Sequence, residues 1–335
     1  MNLKELAKEL NLSISSVSRA LRDSREISPT TKKIVLAKAK ELNYHANPFA
    51  SNLRRQKSKT IAVVIPEIAN NFFSLAINGV ESYAQKKGYH VLIYQTHEEL
   101  QQELSISKHL QNGRVDGILI SLSCQTANTD HLKEIKNMGI PLVFFDRVAE
   151  NINAPKITTN DYESGFEATE HLIANGCKKI AFLSISNKLS IANKRMNGYL
   201  DAAKKHAVMI DEAHIIMCDT DKEANKILIK KLLLQPNRPD AIFACVEELA
   251  VFTYVICQEL KLNIPKDIKI ISFSNLQTAA ILNPSLTTIT QPAYKIGREA
   301  ASVLFQLMEN KGTPQRCSDV VLNSELIVRN STKMM

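Results

Sequence analysis

Glycine is scarce in this chain, ten in 335 residues, and that leaves little for the glycine-rich loops that cradle phosphates. Neither G-x-x-x-x-G-K-S/T nor G-x-G-x-x-G occurs, and G-x-S-x-G and H-E-x-x-H are missing too. No catalytic constellation is found, so an enzyme is not expected. The six cysteines (Cys124, Cys177, Cys218, Cys245, Cys257, Cys317) include no C-x-x-C pair, which fits reduced, buried thiols better than disulfides or zinc. The eight histidines show no metal spacing, so neither a metal nor a cofactor is expected. No stretch approaches the roughly twenty apolar residues of a membrane span, and the start, Met1-Asn2-Leu3-Lys4-Glu5, has no apolar core of signal-peptide length. The expected location is therefore the cytoplasm, with no membrane partner.

What is present is an ordinary globular composition, 44% hydrophobic and 23% charged, long enough for two or three domains. The net charge of +8 is distributed unevenly. Residues 1 to 59 hold thirteen basic and five acidic side chains, a net +8, so the remaining 276 residues carry 29 of each sign and sum to zero. A cationic module on a neutral body points to a polyanionic partner, with nucleic acid ahead of a membrane surface.

The cationic segment reads as short helices. Leu3, Leu6, Ala7 and Leu10 share one helical face. Asn11 can take the left-handed conformation of a tight turn, and Ser13 can cap a second helix over about Ile14 to Arg22. Ser28-Pro29 starts a third, to about Asn43, and Asn47-Pro48 a short one over about Pro48 to Arg55. Leu3 to Arg22 fits a helix-turn-helix, with Val17 and Leu21 facing inward. Such a motif places its second helix in the DNA major groove, where protruding donors read base edges. Ser15, Arg19 and Arg22 form that protruding face. Ser16 and Ser18 suit phosphates, while Lys4, Lys32 and Lys33 add sequence-independent attraction. Ile14 either packs inward or touches a thymine methyl.

After residue 59, short apolar runs alternate with amphipathic helices, the pattern of a parallel α/β sheet buried on both faces. Candidate strands are Thr60 to Ile65, Tyr89 to Tyr94, Gly117 to Ile120, Leu142 to Phe145, Lys179 to Leu183, Ala241 to Ala244 and Ile268 to Phe273. The body is built twice. Ile61-Ala62-Val63 leads after eighteen residues to Gly79, and Ile180-Ala181-Phe182 leads after eighteen to Gly198; Asp116-Gly117-Ile118 and Ile140-Pro141 return as Asp240-Ala241-Ile242 and Ile264-Pro265, both displaced by 124. Two similar lobes make a cleft, where ligands gather at the carboxyl ends of strands.

Leu12-Ser13-Ile14-Ser15-Ser16-Val17-Ser18-Arg19-Ala20-Leu21, Leu42-Asn43-Tyr44, Asn47, Ala50 and Leu53, followed in the body by Gly139-Ile140-Pro141, Arg195-Met196-Asn197-Gly198-Tyr199, Gln291-Pro292 and Glu325-Leu326-Ile327-Val328-Arg329, resemble the lactose-repressor (LacI/GalR) family of transcription regulators over nearly the whole chain. The resemblance implies an α/β two-lobed, periplasmic-binding-protein-like (type I) effector domain behind an all-α helix-turn-helix domain. It matches Ile14, Ser15 and Arg19 to base-reading positions. Asn47, Ala50 and Leu53 fall on a hinge helix that orders on operator DNA, with Leu53 as a minor-groove wedge. Arg22 stands where many relatives have asparagine.

In the cleft the resemblance implies effector contacts from Phe72 as an apolar wall, from the carboxylate of Asp146 beside Arg147, and from the guanidinium of Arg195. Glu247 and Ser274 are the remaining candidates, and both depart from the family pattern, which usually has Asn-Asp at Val246-Glu247 and aspartate at Ser274. The implied division is 1–46 for DNA binding, 47–59 for the hinge and linker, and 60–335 for effector binding and dimerisation, with lobes of about 60–159 plus 291–321 and about 160–290 plus 322–332. The implied function is a sequence-specific regulator, a repressor rather than an activator. It would bind a palindromic double-stranded operator as a homodimer under control of a small-molecule effector such as a sugar or related metabolite. No heptad tail follows Arg329, which favours a dimer over a coiled-coil tetramer. The alternative is the solute-binding component of a transporter, which would share the body but not the basic module.

Overall fold

The structure, a computed structural model, describes residues 2–44, 58–309 and 319–333. The chain forms two compact units, Met1–Ser58 and Lys59–Met335.

In the first unit, α1 (Leu3–Glu9) begins with a reciprocal cap: the Asn2 side chain accepts from the Glu5 N–H while the Glu5 carboxylate accepts from the Asn2 N–H. Asn11 takes φ 53° in the turn, and the Ser13 side chain accepts from the Ser16 N–H to start α2 (Ile14–Leu21). Ser28 caps α3 (Pro29–Glu41) in the same way, with proline in the first turn. Helix α2 stops one residue before Arg22, and α3 stops short of Asn43. Leu6, Ala7, Val17, Ala20, Val35 and Ala39 form the core. The short helix read over Pro48 to Arg55, with Asn47, Ala50 and Leu53, lies outside the described residues, as does Cys317.

The second unit contains two six-stranded sheets. The first is made by β1 (Thr60–Ile65), β2 (His90–Gln95), β3 (Gly117–Ile120), β4 (Leu142–Phe145), β5 (Lys156–Thr159) and β11 (Val320–Leu322). The second is made by β6 (Ile180–Ser184), β7 (Ile215–Met217), β8 (Ala241–Ala244), β9 (Lys269–Phe273), β10 (Thr287–Thr290) and β12 (Glu325–Ile327). Their orders, β2-β1-β3-β4-β5-β11 and β7-β6-β8-β9-β10-β12, are the same order twice. All pairings are parallel except that of β10 with β12. The chain passes between the sheets after Thr159, after Thr290 and after Leu322.

The glycines of the sequence repeat mark where helices touch. After β1 comes α4 (Asn71–Lys86), followed by α5 (Leu100–Leu110) and α6 (Asp130–Asn137); α7 (Asp161–Ala174) precedes β6 and α8 (Ser190–Lys205) follows it. A Cβ at Gly79 would land on the carbonyl oxygen of Tyr294 in α11 (Ala293–Glu309), and one at Gly198 would land on that of Tyr162 in α7. Two further helices, α9 (Lys222–Leu233) and α10 (Glu247–Glu259), flank β8 in sequence. Within the described residues no helix is long and apolar enough to cross a membrane.

The apolar runs read as strands agree with β1, β3, β4 and β8 end to end, β2 and β6 are shifted by one residue, and β9 starts one residue later. Five strands were not read: β5, β7, β10, β11 and β12. They are only three or four residues long: β5 and β10 are rich in threonine, and the apolar β7 (Ile215-Ile216-Met217) and β11 (Val320-Val321-Leu322) are too short to signal a strand alone, so pairing to their neighbours holds them.

Candidate functional site

On the first unit, Ser15, Arg19 and Arg22 are all exposed at the spacing of one helical face. Ile14 is exposed as well, at 43%, so the inward-packing alternative is set aside. The two arginines are tethered within the unit. Arg19 Nη1 lies 2.7 Å from Glu26 Oε2. Arg22 donates from Nε to the Ser18 carbonyl (2.9 Å) and from Nη2 to Ser18 Oγ (2.8 Å). The Ser16 hydroxyl lies 2.9 Å from that of the capping Ser13. All these groups are solvent-facing, so duplex phosphates and base edges can replace the internal partners at little cost. Lys4 and Lys33 have no ion pair among the described residues, whereas Lys32 reaches Asp23 at 2.7 Å.

In the second unit, Phe72, Asp146, Arg147, Arg195, Glu247 and Ser274 all line one cavity, whose volume is about 30 Å³. They arrive from separate chain segments: Phe72 from α4 after β1, Asp146 and Arg147 from the end of β4, Arg195 from α8 after β6, Glu247 from the start of α10 after β8, and Ser274 from the end of β9. The carboxyl ends of the strands thus converge on the cleft between the sheets. Phe73, Phe273, Asn275 and Gln291 complete much of the wall.

Two arginines give this cavity its character. Arg195 is 2% exposed. Its Nε donates to Asp161 Oδ1 (2.8 Å), its Nη1 donates to the Cys245 carbonyl (2.7 Å), and its guanidinium lies 3.7 Å over the Phe273 ring. Nη2 is 2.7 Å from the same Asp161 oxygen, close enough for an ion pair, but it is not aligned for a hydrogen bond with any described residue. Arg147 is 5% exposed and donates from Nη1 to both Glu98 oxygens at 2.8 Å. Its Nε has no hydrogen-bond partner among the described residues and stands 3.9 Å from Asp146 Oδ2. Asp146 and Arg147 are both buried, and the closer partner of Arg147 is Glu98. Burial disfavours the Glu98 charge, but the adjacent Arg147 outweighs it and holds the carboxyl below its usual value.

Asp146 is the least satisfied charged group. It sits at φ 59°, a left-handed conformation that aspartate tolerates better than most residues. Its nearest donor is Gln291 Nε2 at 3.5 Å. Burial, aided by the charge of Asp161, pushes its pKa up to about 6 against the pull of Arg147 and Arg195. Together the cavity offers unspent N–H donors on two guanidiniums, an under-bonded carboxyl, the unpartnered Asn275 Oδ1 and aromatic walls. That inventory suits a small uncharged molecule with several hydroxyl or carbonyl oxygens. Glu247 is different, for its two oxygens are already occupied by Asn71, Ser274 and Asn275.

Sequence reasoning missed Asp161 and Glu98, which stand behind the two arginines, as well as Asn71, Asn275 and Gln291. No group of three His, Cys, Asp or Glu residues suited to a metal occurs among the described residues. Cys177, Cys218, Cys245 and Cys257 are buried free thiols, and Cys124 is half-buried.

Residues 2–47 match the family described as bacterial regulatory proteins, lacI family, and residues 58–322 match periplasmic binding proteins and sugar binding domain of LacI family. The chain is 30% identical over 335 residues to the HTH-type transcriptional repressor CytR of Escherichia coli K12, covering 99% of this chain and 96% of that one. It is 32% identical over 332 residues to the ribose operon repressor of Haemophilus influenzae, with 98% of each covered. Among solved structures, a putative ribose operon repressor from Burkholderia thailandensis superposes with a TM-score of 0.73 at 25% identity, covering 81% of this chain and 99% of that one.

Proposed function

The chain belongs to the LacI family of bacterial regulatory proteins, non-enzymatic DNA-binding repressors with an effector domain, and from that premise we propose how this member divides the work. Residues 1–46 read a palindromic operator, 47–59 form the hinge, and 60–335 bind effector and dimerise, with DNA and effector both met in the cytoplasm. Ser15, Arg19, Arg22 and Ile14 meet base edges, Ser16 and Ser18 meet phosphates, and Asn47, Ala50 and Leu53 act at the hinge, where Leu53 wedges into the minor groove. One helix-turn-helix covers only a few base pairs, so specificity requires a two-fold pair. Exposed Val251 and Val255, four residues apart on α10, and exposed Ile281, Leu92 and Ile93 supply apolar surface for such a pair.

The effector is a sugar or related metabolite held by Asp146, Arg147 and Arg195 against Phe72. The observation that carries this reading is the coexistence of an N-terminal segment of net +8 with a buried cavity whose guanidiniums keep unspent donors. Occupancy of the cavity changes operator affinity through a coupling of about 1 to 3 kcal/mol. The test is binding of the full-length protein to duplex DNA across salt concentrations. Neutralisation of phosphates requires log affinity to fall linearly with log salt, and Arg19→Ala and Arg22→Ala reduce the affinity. A flat salt response sinks the reading.

A further inference from the structure

Glu247 holds the two lobes together across the cleft. It is the first residue of α10 in the second lobe, and Asn71 is the first residue of α4 in the first. Glu247 Oε1 accepts from the Asn71 backbone N–H (3.2 Å) and from Asn71 Nδ2 (2.9 Å). Its other oxygen, Oε2, accepts from Ser274 Oγ (3.1 Å) and from the Asn275 N–H (3.0 Å) within its own lobe. Two helix N-termini thus meet at one carboxylate. Each carries a partial positive charge of roughly half a unit, so without the carboxylate they repel. The second lobe offers no substitute, because the residue before α10 is Val246, which has no side-chain acceptor to cap the helix. Other polar contacts join the lobes elsewhere: Asn275 Nδ2 donates to the Gln291 carbonyl at 2.7 Å where the chain crosses over, Ser186 Oγ donates to the Cys124 carbonyl at 3.2 Å, and Lys194 reaches Glu150 at 3.5 Å.

We propose that Glu247 is a clasp and not an effector ligand: it holds the effector-free cleft closed and takes for itself the donors of Asn71, Ser274 and Asn275. The length of the side chain matters. An aspartate at this position is one methylene shorter and does not span from Ser274 to Asn71. The effector must then be recognised at the opposite side of the cavity, by Asp146, Arg147 and Arg195, and cleft opening is limited by the release of the two hydrogen bonds from Asn71. The regulatory meaning of the clasp rests on the effector-domain reading above, but its existence does not.

Hydrogen–deuterium exchange on the effector-free, full-length protein tests it without operator or ligand. In Glu247→Ala, and to a lesser degree in Glu247→Asp, amides at the start of α4 and at Asn275 should exchange at least tenfold faster, with a larger radius of gyration in solution scattering. Asn71→Asp is the second variant. It sets carboxylate against carboxylate while placing a favourable acidic residue at the α4 N-terminus, so faster exchange there reports lobe separation and not a frayed helix. If variants with wild-type circular dichroism exchange these amides at the wild-type rate, the clasp is refuted, while a failure to bind DNA would leave this result intact and strike only the regulator reading.

Discussion

Replacing Asp161 by asparagine strands the buried Arg195 cation. The two side chains are 1% and 2% exposed, and the guanidinium cannot shed its proton. Asparagine keeps an oxygen in place but removes the charge that the 2.8 Å and 2.7 Å contacts neutralise. The bond to the Cys245 carbonyl and the contact with Phe273 remain, yet neither supplies a negative charge. Breaking a buried pair by removing one partner costs about 3 to 5 kcal/mol, so Asp161→Asn should lower the urea midpoint of the full-length protein by that equivalent, with the slope unchanged. Glu170→Gln, which breaks the exposed pair with Lys205 at 2.9 Å, should shift the midpoint far less. Adding Arg195→Met to Asp161→Asn removes the stranded charge and leaves mainly the orphaned Cys245 carbonyl, a loss of about 1 to 3 kcal/mol. The double variant is therefore more stable than Asp161→Asn alone. A loss for Asp161→Asn as small as that for Glu170→Gln, or additive losses in the double variant, would refute the role given to this pair.

Asp146 holds its proton to higher pH in the folded chain than in the unfolded one, so its own contribution to stability should fall as pH rises from about 4 to about 6, by about 3 kcal/mol, against the opposite trend from Glu98. Asp146→Asn should flatten that part of the stability profile and be more stable than wild type at neutral pH; parallel profiles in urea titrations would contradict the burial argument. Gly198→Ala drives a methyl into the Tyr162 carbonyl where α7 and α8 cross, and should cost at least about 1 to 3 kcal/mol, read as a lower thermal midpoint. Gly88→Ala tests a different term, since nothing lies near its Cβ but its φ is +69°. It should cost only about 1 kcal/mol, from backbone strain alone. Leu53→Ala should weaken operator binding in a gel-shift titration and leave effector affinity unchanged.

The central strands and the capped helices were legible because each is signalled locally. Ile61 to Ile65 is an unbroken apolar run, and Ser28-Pro29 is a start signal that needs no partner. The doubled architecture was legible through Gly79 and Gly198, since the same close helix crossing imposes the same small residue in both lobes. Thr287 to Thr290 was not, because a Thr-Thr-Ile-Thr segment becomes a strand only when β9 and β12 flank it. The first row of cavity residues came from family resemblance. Asp161, Glu98 and Asn71 were missed for one reason: an acidic or amide residue near a helix start reads the same whether it faces water or a buried guanidinium from a segment far along the chain. The departure at Val246-Glu247 was visible in the sequence, but its meaning was not, since the Asn71 amide that receives the carboxylate lies 176 residues away.

The most direct test of the whole account is fluorescence anisotropy of the full-length protein on a duplex recovered by in vitro selection, with and without a metabolite that raises its thermal midpoint. The account predicts affinity at least about a thousandfold above that for random duplex, a steep fall with salt, and a shift of about five- to 150-fold when the metabolite is added. Equal affinity for selected and random duplex, unmoved by the metabolite, would contradict it.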